Sequence, residues 1–167
     1  MAPVVAGQTD LEEAERMGTP DLVRFEQLVP RDHGLCVVVT RRADRTPHAT
    51  VVNAGVLPHP VDGQTVAALV AAGGTRKLAH LRADPTIVLT LRAGWEWTTV
   101  EGQAELIGPD DPHPEVDAEG LRVLLRDVFA AAGGTHDDWD AYDRAMRDER
   151  RTAVLVTPTR VYSNPGG

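Results

Sequence analysis

The stretch GGTRKLAHLRADPTIVLTL, residues 73–91, sets a short helix directly ahead of a strand. Thr75 suits an N-cap, Arg76 to Arg82 supply two helical turns, and Pro85 ends the segment before the apolar run of residues 86–92. Upstream, residues 35–40, 48–55 and 65–70 are rich in β-branched side chains, and the turn-forming stretches RRADRTP and LPHPVDGQ separate them. Downstream, Ala93 and Gly94 turn the chain into WEWTTVEGQAELI, a long strand whose central Gly102 predicts a bulge. The order is helix, three strands, short helix, two strands, two helices, strand. Strands and helices do not alternate, and no Gly-rich dinucleotide fingerprint is present. A parallel Rossmann sheet is therefore disfavoured, and an antiparallel barrel of about six strands with helices packed outside it fits best.

The rest of the chain supplies the covering elements. In TPDLVRFEQL, Thr19 is a candidate N-cap, Pro20 a first helical residue, and Leu22, Phe25 and Leu28 share one face. Residues 107–117 form a Pro-rich acidic loop. From Ala118, the spacing of Leu121, Leu124, Leu125 and Val128 marks an amphipathic helix that Gly133 and Gly134 end. A second helix after Thr135 carries Trp139, Tyr142 and Met146 inward, and TAVLVTP with residues 160–162 closes the fold. The 167 residues suffice for one domain, spanning 19–167 with a helical insertion at 118–150. Residues 1–18 read as a loosely ordered segment with at most a turn or two of helix over residues 10–16.

Charge narrows the function. The net charge is −8, and residues 110–149 hold twelve of the 25 acidic residues but only four of the 17 basic ones. No broad basic face is available to displace phosphate counterions, which argues against nucleic-acid binding. No window approaches the ~20 apolar residues of a membrane span, and the start lacks a basic segment followed by a long apolar one. A lone cysteine, Cys36 in the apolar run LCVVV, points to a buried inert thiol in a reducing, cytoplasmic setting. The six histidines form neither HxH nor HExxH, so no metal site is assigned.

One placement stands out against this acidic background. Arg76 and Lys77, the latter the sole lysine against sixteen arginines, lie at the start of the short helix. Cations there oppose the helix dipole by a few tenths to about 1 kcal/mol each. They suit a docked anion, because helix amides, a guanidinium and an ammonium converge. A phosphate or carboxylate is the natural guest. Trp95 and Trp97 share one face of the predicted long strand, where they either pack under a helix or at a subunit interface, or border an aromatic ligand.

The ordered series PHATVVNAG, GGTRKLAHLRADPTIVLTL and WTTVEGQAELIGPDD resembles the pyridoxamine 5′-phosphate oxidase-like superfamily of split-barrel flavin and deazaflavin proteins, closest to the actinobacterial branch that uses coenzyme F420. The resemblance covers roughly residues 20–110 and the strand near 152–161. It implies a mainly β fold, the six-stranded antiparallel FMN-binding split barrel, and a homodimer with a cofactor at the subunit interface. It also implies that Thr75, Arg76 and Lys77 hold the cofactor's phosphate, and that Thr50, Val51, Val52 and Asn53 support its ring or ribityl chain. Trp97 is assigned to the cleft wall, and no catalytic residue is nominated. His80 stands where relatives commonly have Asn, and Val51 where they have Pro.

The implied activity is hydride transfer between F420 and an unsaturated small-molecule acceptor, in which the cofactor carries the chemistry. Two alternatives stay open at this level: an FMN-binding oxidase or flavin reductase on the same fold, and a non-catalytic protein that stores or carries the cofactor. Arg41, Arg42 and Arg45 in the first hairpin could serve the longer tail of F420, or form a solvated turn.

Overall fold

In the computed structural model, which describes residues 20–164, six strands close into one antiparallel barrel. They are β1 (Leu35–Arg41), β2 (Pro47–Pro58), β3 (Thr65–Ala71), β4 (Thr86–Ala93), β5 (Glu96–Ile107) and β6 (Thr152–Ser163), and the order around the barrel is β1-β2-β3-β6-β5-β4. Four helices accompany them: α1 (Val23–Leu28), α2 (Arg76–Ala83), α3 (Ala118–Ala131) and α4 (Trp139–Asp148). The mainly β barrel with helices agrees with the sequence expectation. The segment 1–18 and the proposed cap Thr19 lie outside the described residues.

Side-chain alternation explains which strands are apolar throughout and which are not. On β3 and β6, Ala67, Leu69, Val154 and Val156 enter the barrel core, while Val66, Ala68, Ala153 and Leu155 face Leu124, Leu125 and Val128 of α3. Both faces of these strands are buried. The same continuity occurs on β1, but there only Cys36, Val38 and Thr40 point inward, while Leu35 and Val37 are about two-fifths exposed. No helix among the described residues covers the outer face of β1. That difference separates the two halves of the barrel surface.

The bulge expected at Gly102 is present: the β5–β6 register shifts between Glu101 and Gly102. A Cβ at Gly102 would overlap the Thr157 carbonyl, so the two backbones could not approach as they do. The helices also do more than coat the barrel. Phe25, Leu28, Leu78 and Leu81 from α1 and α2 join the same core as Val38, Leu89 and Val100. Complete burial of Phe25 alone stabilises the fold by about 3 kcal/mol.

Three boundaries differ from the sequence reading. Helix α1 begins at Val23 rather than Pro20, with the Asp21 carboxylate accepting the Val23 amide at 3.1 Å. Strands β2 and β6 run on as twelve-residue strands because each pairs with two neighbours along its length. Trp95 does not share the strand face with Trp97. It lies in the β4–β5 turn and is 91% exposed.

Candidate functional site

The two chain reversals that flank α2 put its first turn at one end of the barrel. At its far end, Asp84 accepts a 2.7 Å hydrogen bond from Arg41 of β1, and along its length His80 Nδ1 shares a 2.9 Å hydrogen bond with Thr40 Oγ1. At the near end, Gly73 donates its amide to the Glu149 carbonyl at 2.9 Å, and Gly74 takes a left-handed φ of 75° that turns the chain into the helix. The helix start is thereby fixed from both sides.

Thr75 occupies the N-cap position in extended conformation, yet its hydroxyl makes no capping bond. Its Oγ1 is buried without a partner, as are Thr50 Oγ1 and the His48 Nδ1. Buried polar atoms of this kind are normally satisfied, and leaving one unpaired costs about 1–3 kcal/mol. Lys77 is only 8% exposed and has no acidic partner among the described residues, and burial lowers its pKa. Arg76 is exposed and likewise unpaired among the described residues. The surrounding arginines are already engaged: Arg82 makes a bidentate pair with Asp111 at 2.7 and 2.8 Å, Arg41 pairs with Asp84, and Arg150 with Asp110. Arg76 and Lys77 are thus left free to take a ligand. An anion with several acceptor oxygens fits this donor set.

The two predicted stretches meet here only in part. Alternation along β2 turns His48, Thr50 and Val52 toward the barrel interior and leaves Val51 and Asn53 on the outer face. His48 stands opposite Thr40 in the β1–β2 register, and its ring lies 5.1 Å from that of His80 in edge-to-face contact. Asn53 instead donates its side-chain amide to the His33 carbonyl at 2.7 Å, and Val51 is 64% exposed. Trp97 is half-buried on the outer face, against Tyr162 at 6.2 Å, and pairs with Arg92. The β1–β4–β5 rung nearest the Arg76–Lys77 end that joins three strands runs through Val39, Val88 and Glu101. Trp97 lies four residues from it, roughly 13 Å along the strand. Within one chain, Trp97 and Lys77 do not face the same space.

Two polar residues of this end, Thr40 and His48, were not singled out by sequence reasoning, and His80 was noted only as standing where relatives commonly have Asn. Two weak signals were available: His48 shares the inward β2 face with Thr50, and His80 follows Arg76 by one helical turn. Arg42 serves its own hairpin, hydrogen-bonding Thr46 at 3.4 Å and the Pro47 carbonyl, while Arg41 is taken by Asp84. Cys36 faces the core, and burial pushes its thiol pKa up to about 12, which suits an inert thiol.

A larger cleft of about 650 Å³ lies elsewhere, between α3, α4 and the 108–117 loop, over Leu121, Leu125 and Met146. Three of its four lining arginines are taken up by carboxylates: Arg122 by Glu119 and Asp143, Arg150 by Asp110, and Arg151 by Glu149. No helix among the described residues is long and apolar enough to cross a membrane.

Comparison with known proteins agrees with this architecture. A family model described as pyridoxamine 5′-phosphate oxidase matches residues 24–164. Among solved structures, a conserved hypothetical protein of Mycobacterium tuberculosis superposes with a TM-score of 0.59 at 20% identity, covering 98% of this chain and 87% of that one. An F420 reductase gives 0.56 at 17% identity, over 82% of this chain and 94% of the other. A pyridoxamine 5′-phosphate oxidase-related, FMN-binding protein of Nostoc punctiforme gives 0.55 at 12% identity, over 97% and 86%. At these identities the structural likenesses establish the fold.

Proposed function

The chain belongs to the pyridoxamine 5′-phosphate oxidase family, and from that premise we propose that it is an oxidoreductase that binds a flavin-type cofactor, coenzyme F420, through the cofactor's phosphate at the start of α2. The observation that carries this reading is Lys77: the only lysine of the chain is buried without an acidic partner among the described residues, two residues after Thr75, whose hydroxyl is likewise buried and unpartnered. A buried unpaired ammonium is costly unless a ligand compensates it.

In this reading Arg76 holds the phosphate from the solvent side and Lys77 from the barrel side, with the free amides of the first α2 turn and the Thr75 hydroxyl completing the cradle. When bound, the cofactor supplies the hydride chemistry, and the chain supplies position and exclusion of water. The F420 reductase among the structural neighbours supports the choice of F420. FMN is the second reading, favoured by the engagement of Arg41 and Arg42 within their own surroundings, which leaves few cations for the longer F420 tail.

The cofactor cleft is completed by a second copy of the chain. Leu35, Val37 and Val51 present an apolar outer surface on β1 and β2, and Thr90, Thr99 and Tyr162 continue the Val37–Val51 rung across β4, β5 and β6. A two-fold pairing of this face is self-complementary. It also offers a route by which Trp97 of one subunit joins the phosphate site of the other.

Titration of the purified protein with F420 and, separately, FMN, followed by tryptophan fluorescence and ligand absorbance, tests the assignment. Tight F420 binding with weak FMN binding is expected. The reverse preference moves the protein to FMN chemistry, and binding of neither removes the cofactor reading. Turnover of reduced cofactor with a panel of unsaturated acceptors separates an enzyme from a carrier.

A further inference from the structure

We propose that cofactor binding at this site is proton-linked: His48, held against His80, takes up a proton from solvent when the phosphate docks at Thr75, Arg76 and Lys77. The inference rests on the cofactor-phosphate reading above and extends it to the histidine pair, which that reading leaves without a role.

The geometry brings four cations or potential cations onto one imidazole. His80 of α2 meets the His48 ring at 5.1 Å, Arg76 and Lys77 open the same helix one turn earlier, and Arg42 lies in the β1–β2 turn that leads into His48. Two uncharged residues border it: Thr40 stands opposite it on β1, and Thr50 follows it on the inward face of β2. Asp84, the carboxylate at the end of α2, is already engaged by Arg41 and by the Thr86 amide. The imidazole of His80 is fixed by Thr40 at 2.9 Å and meets the His48 ring edge-on, at 78° between planes. His48 therefore sits in a positive environment, with one ring nitrogen buried and unpartnered.

In the free protein this environment favours the neutral ring. Desolvation first, then Arg42, His80, Lys77 and Arg76, hold the His48 pKa below its ordinary value. A docked phosphate weakens that positive field: its charge offsets part or all of Arg76 and Lys77 and gives an imidazolium an anionic neighbour. The pKa of His48 is higher in the complex than in the free protein, and in the interval between the two values binding draws a proton from solvent. Linkage then makes affinity rise as pH falls through that interval.

Calorimetric titration of the full chain with F420 and with FMN, at about pH 7 in buffers of different ionisation enthalpy, reads the proton count directly. The FMN phosphate monoester is already mostly doubly ionised at and above this pH, and the F420 phosphate, a diester because it carries the tail, has no second ionisation, so neither phosphate contributes much to the uptake. The expected result is net uptake of a fraction of a proton up to one, lost in His48→Gln, whose affinity falls several-fold but stays measurable. If His48→Gln does not fold, the wild-type affinity for F420 between about pH 5 and 8, a range that brackets the ordinary histidine value of 6.5 and avoids the alkaline titration of Lys77, serves instead: a several-fold weakening with rising pH supports the inference, and a flat profile overturns it. Binding without buffer dependence, or unchanged uptake in His48→Gln, overturns the proton linkage and leaves the cofactor assignment standing. Binding of neither cofactor overturns both.

Discussion

His80 on α2 and Thr40 on β1 share a 2.9 Å hydrogen bond at a position where Thr40 is 2% exposed, so the helix that carries Arg76 and Lys77 is pinned to the barrel by a buried polar contact. Thr40→Val keeps the shape and removes the hydroxyl, leaving the His80 nitrogen without its partner. We expect a stability loss of about 1–3 kcal/mol in urea unfolding, together with a several-fold loss of cofactor affinity as α2 loosens. Thr40→Ser, which retains the hydroxyl, restores most of both. Full affinity in Thr40→Val would mean that the helix start is positioned without this contact.

Lys77 sets ligand binding against stability. Its ammonium is buried without an acidic partner among the described residues, so Lys77→Met replaces a poorly solvated charge with an apolar chain of similar length. The expected outcome is a raised thermal midpoint for the ligand-free protein and at least a tenfold loss of cofactor affinity, about 1.4 kcal/mol. The pH dependence has a defined sign. Because burial lowers the folded-state pKa below the ordinary 10.5, the unfolded chain binds more protons, and the destabilisation is fully present below the folded pKa. It is relieved as pH rises toward 10.5. Parallel stability curves for wild type and Lys77→Met on the alkaline side would remove this account.

The α3–α4 pair depends on one carboxylate. Asp143 on α4 accepts hydrogen bonds from Arg126 at 2.8 and 2.5 Å and from Arg122 at 3.1 Å, both on α3, beside the packed rings of Phe129, Trp139 and Tyr142. The Arg126 hydrogen bonds chiefly, then those of Arg122, hold the Asp143 pKa below its ordinary 3.8. A depressed carboxylate pKa contributes stability that is complete above 3.8 and is lost as pH falls through the lower folded value. Acid titration is therefore expected to loosen α4 before the barrel, seen as a change in Trp139 environment ahead of the loss of far-ultraviolet β signal. Asp143→Asn shifts that first step to neutral pH. Coincident transitions in the variant would show that the aromatic packing suffices.

Much of this fold was legible because local patterns and tertiary demands agree. Alternation and turn chemistry located all six strands, Gly102 located the bulge, and the spacing from Leu121 to Val128 gave α3 its buried face. The start of α1 was misplaced because Pro20 is a good first helical residue, yet Asp21 supplies the side-chain acceptor that sets the helix start at Val23. The pairing of β3 with β6 joins residues some 85 positions apart, a contact that no local signal encodes. The placement of Arg76 and Lys77 at the start of α2 was legible because cations there oppose the helix dipole, and the anion site at Thr75, Arg76 and Lys77 is proposed on that ground. His48 and His80 were not legible, because a histidine's role depends on which side chains the barrel closure brings to it. The separation of Trp97 from Lys77 is of the same kind, since it follows from strand register alone.

That separation makes subunit pairing the decisive property of the proposed cleft. Val51 is 64% exposed at one end of a rung that continues through Val37, Thr90, Thr99 and Tyr162, on a face that no helix among the described residues covers. A charge placed there costs a monomer little, because the position is already solvated. In a two-fold interface the same charge is buried and meets apolar side chains, with its own copy nearby, which is strongly unfavourable. Val51→Asp is therefore expected to leave the circular dichroism and thermal midpoint of the isolated barrel nearly intact while halving the mass seen by light scattering. Cofactor affinity should fall with it, even though Thr75, Arg76 and Lys77 are untouched, because Trp97 then has no route to the phosphate site. A monomeric wild-type protein that binds cofactor at full affinity would overturn the shared cleft and return Trp97 to simple packing against Tyr162.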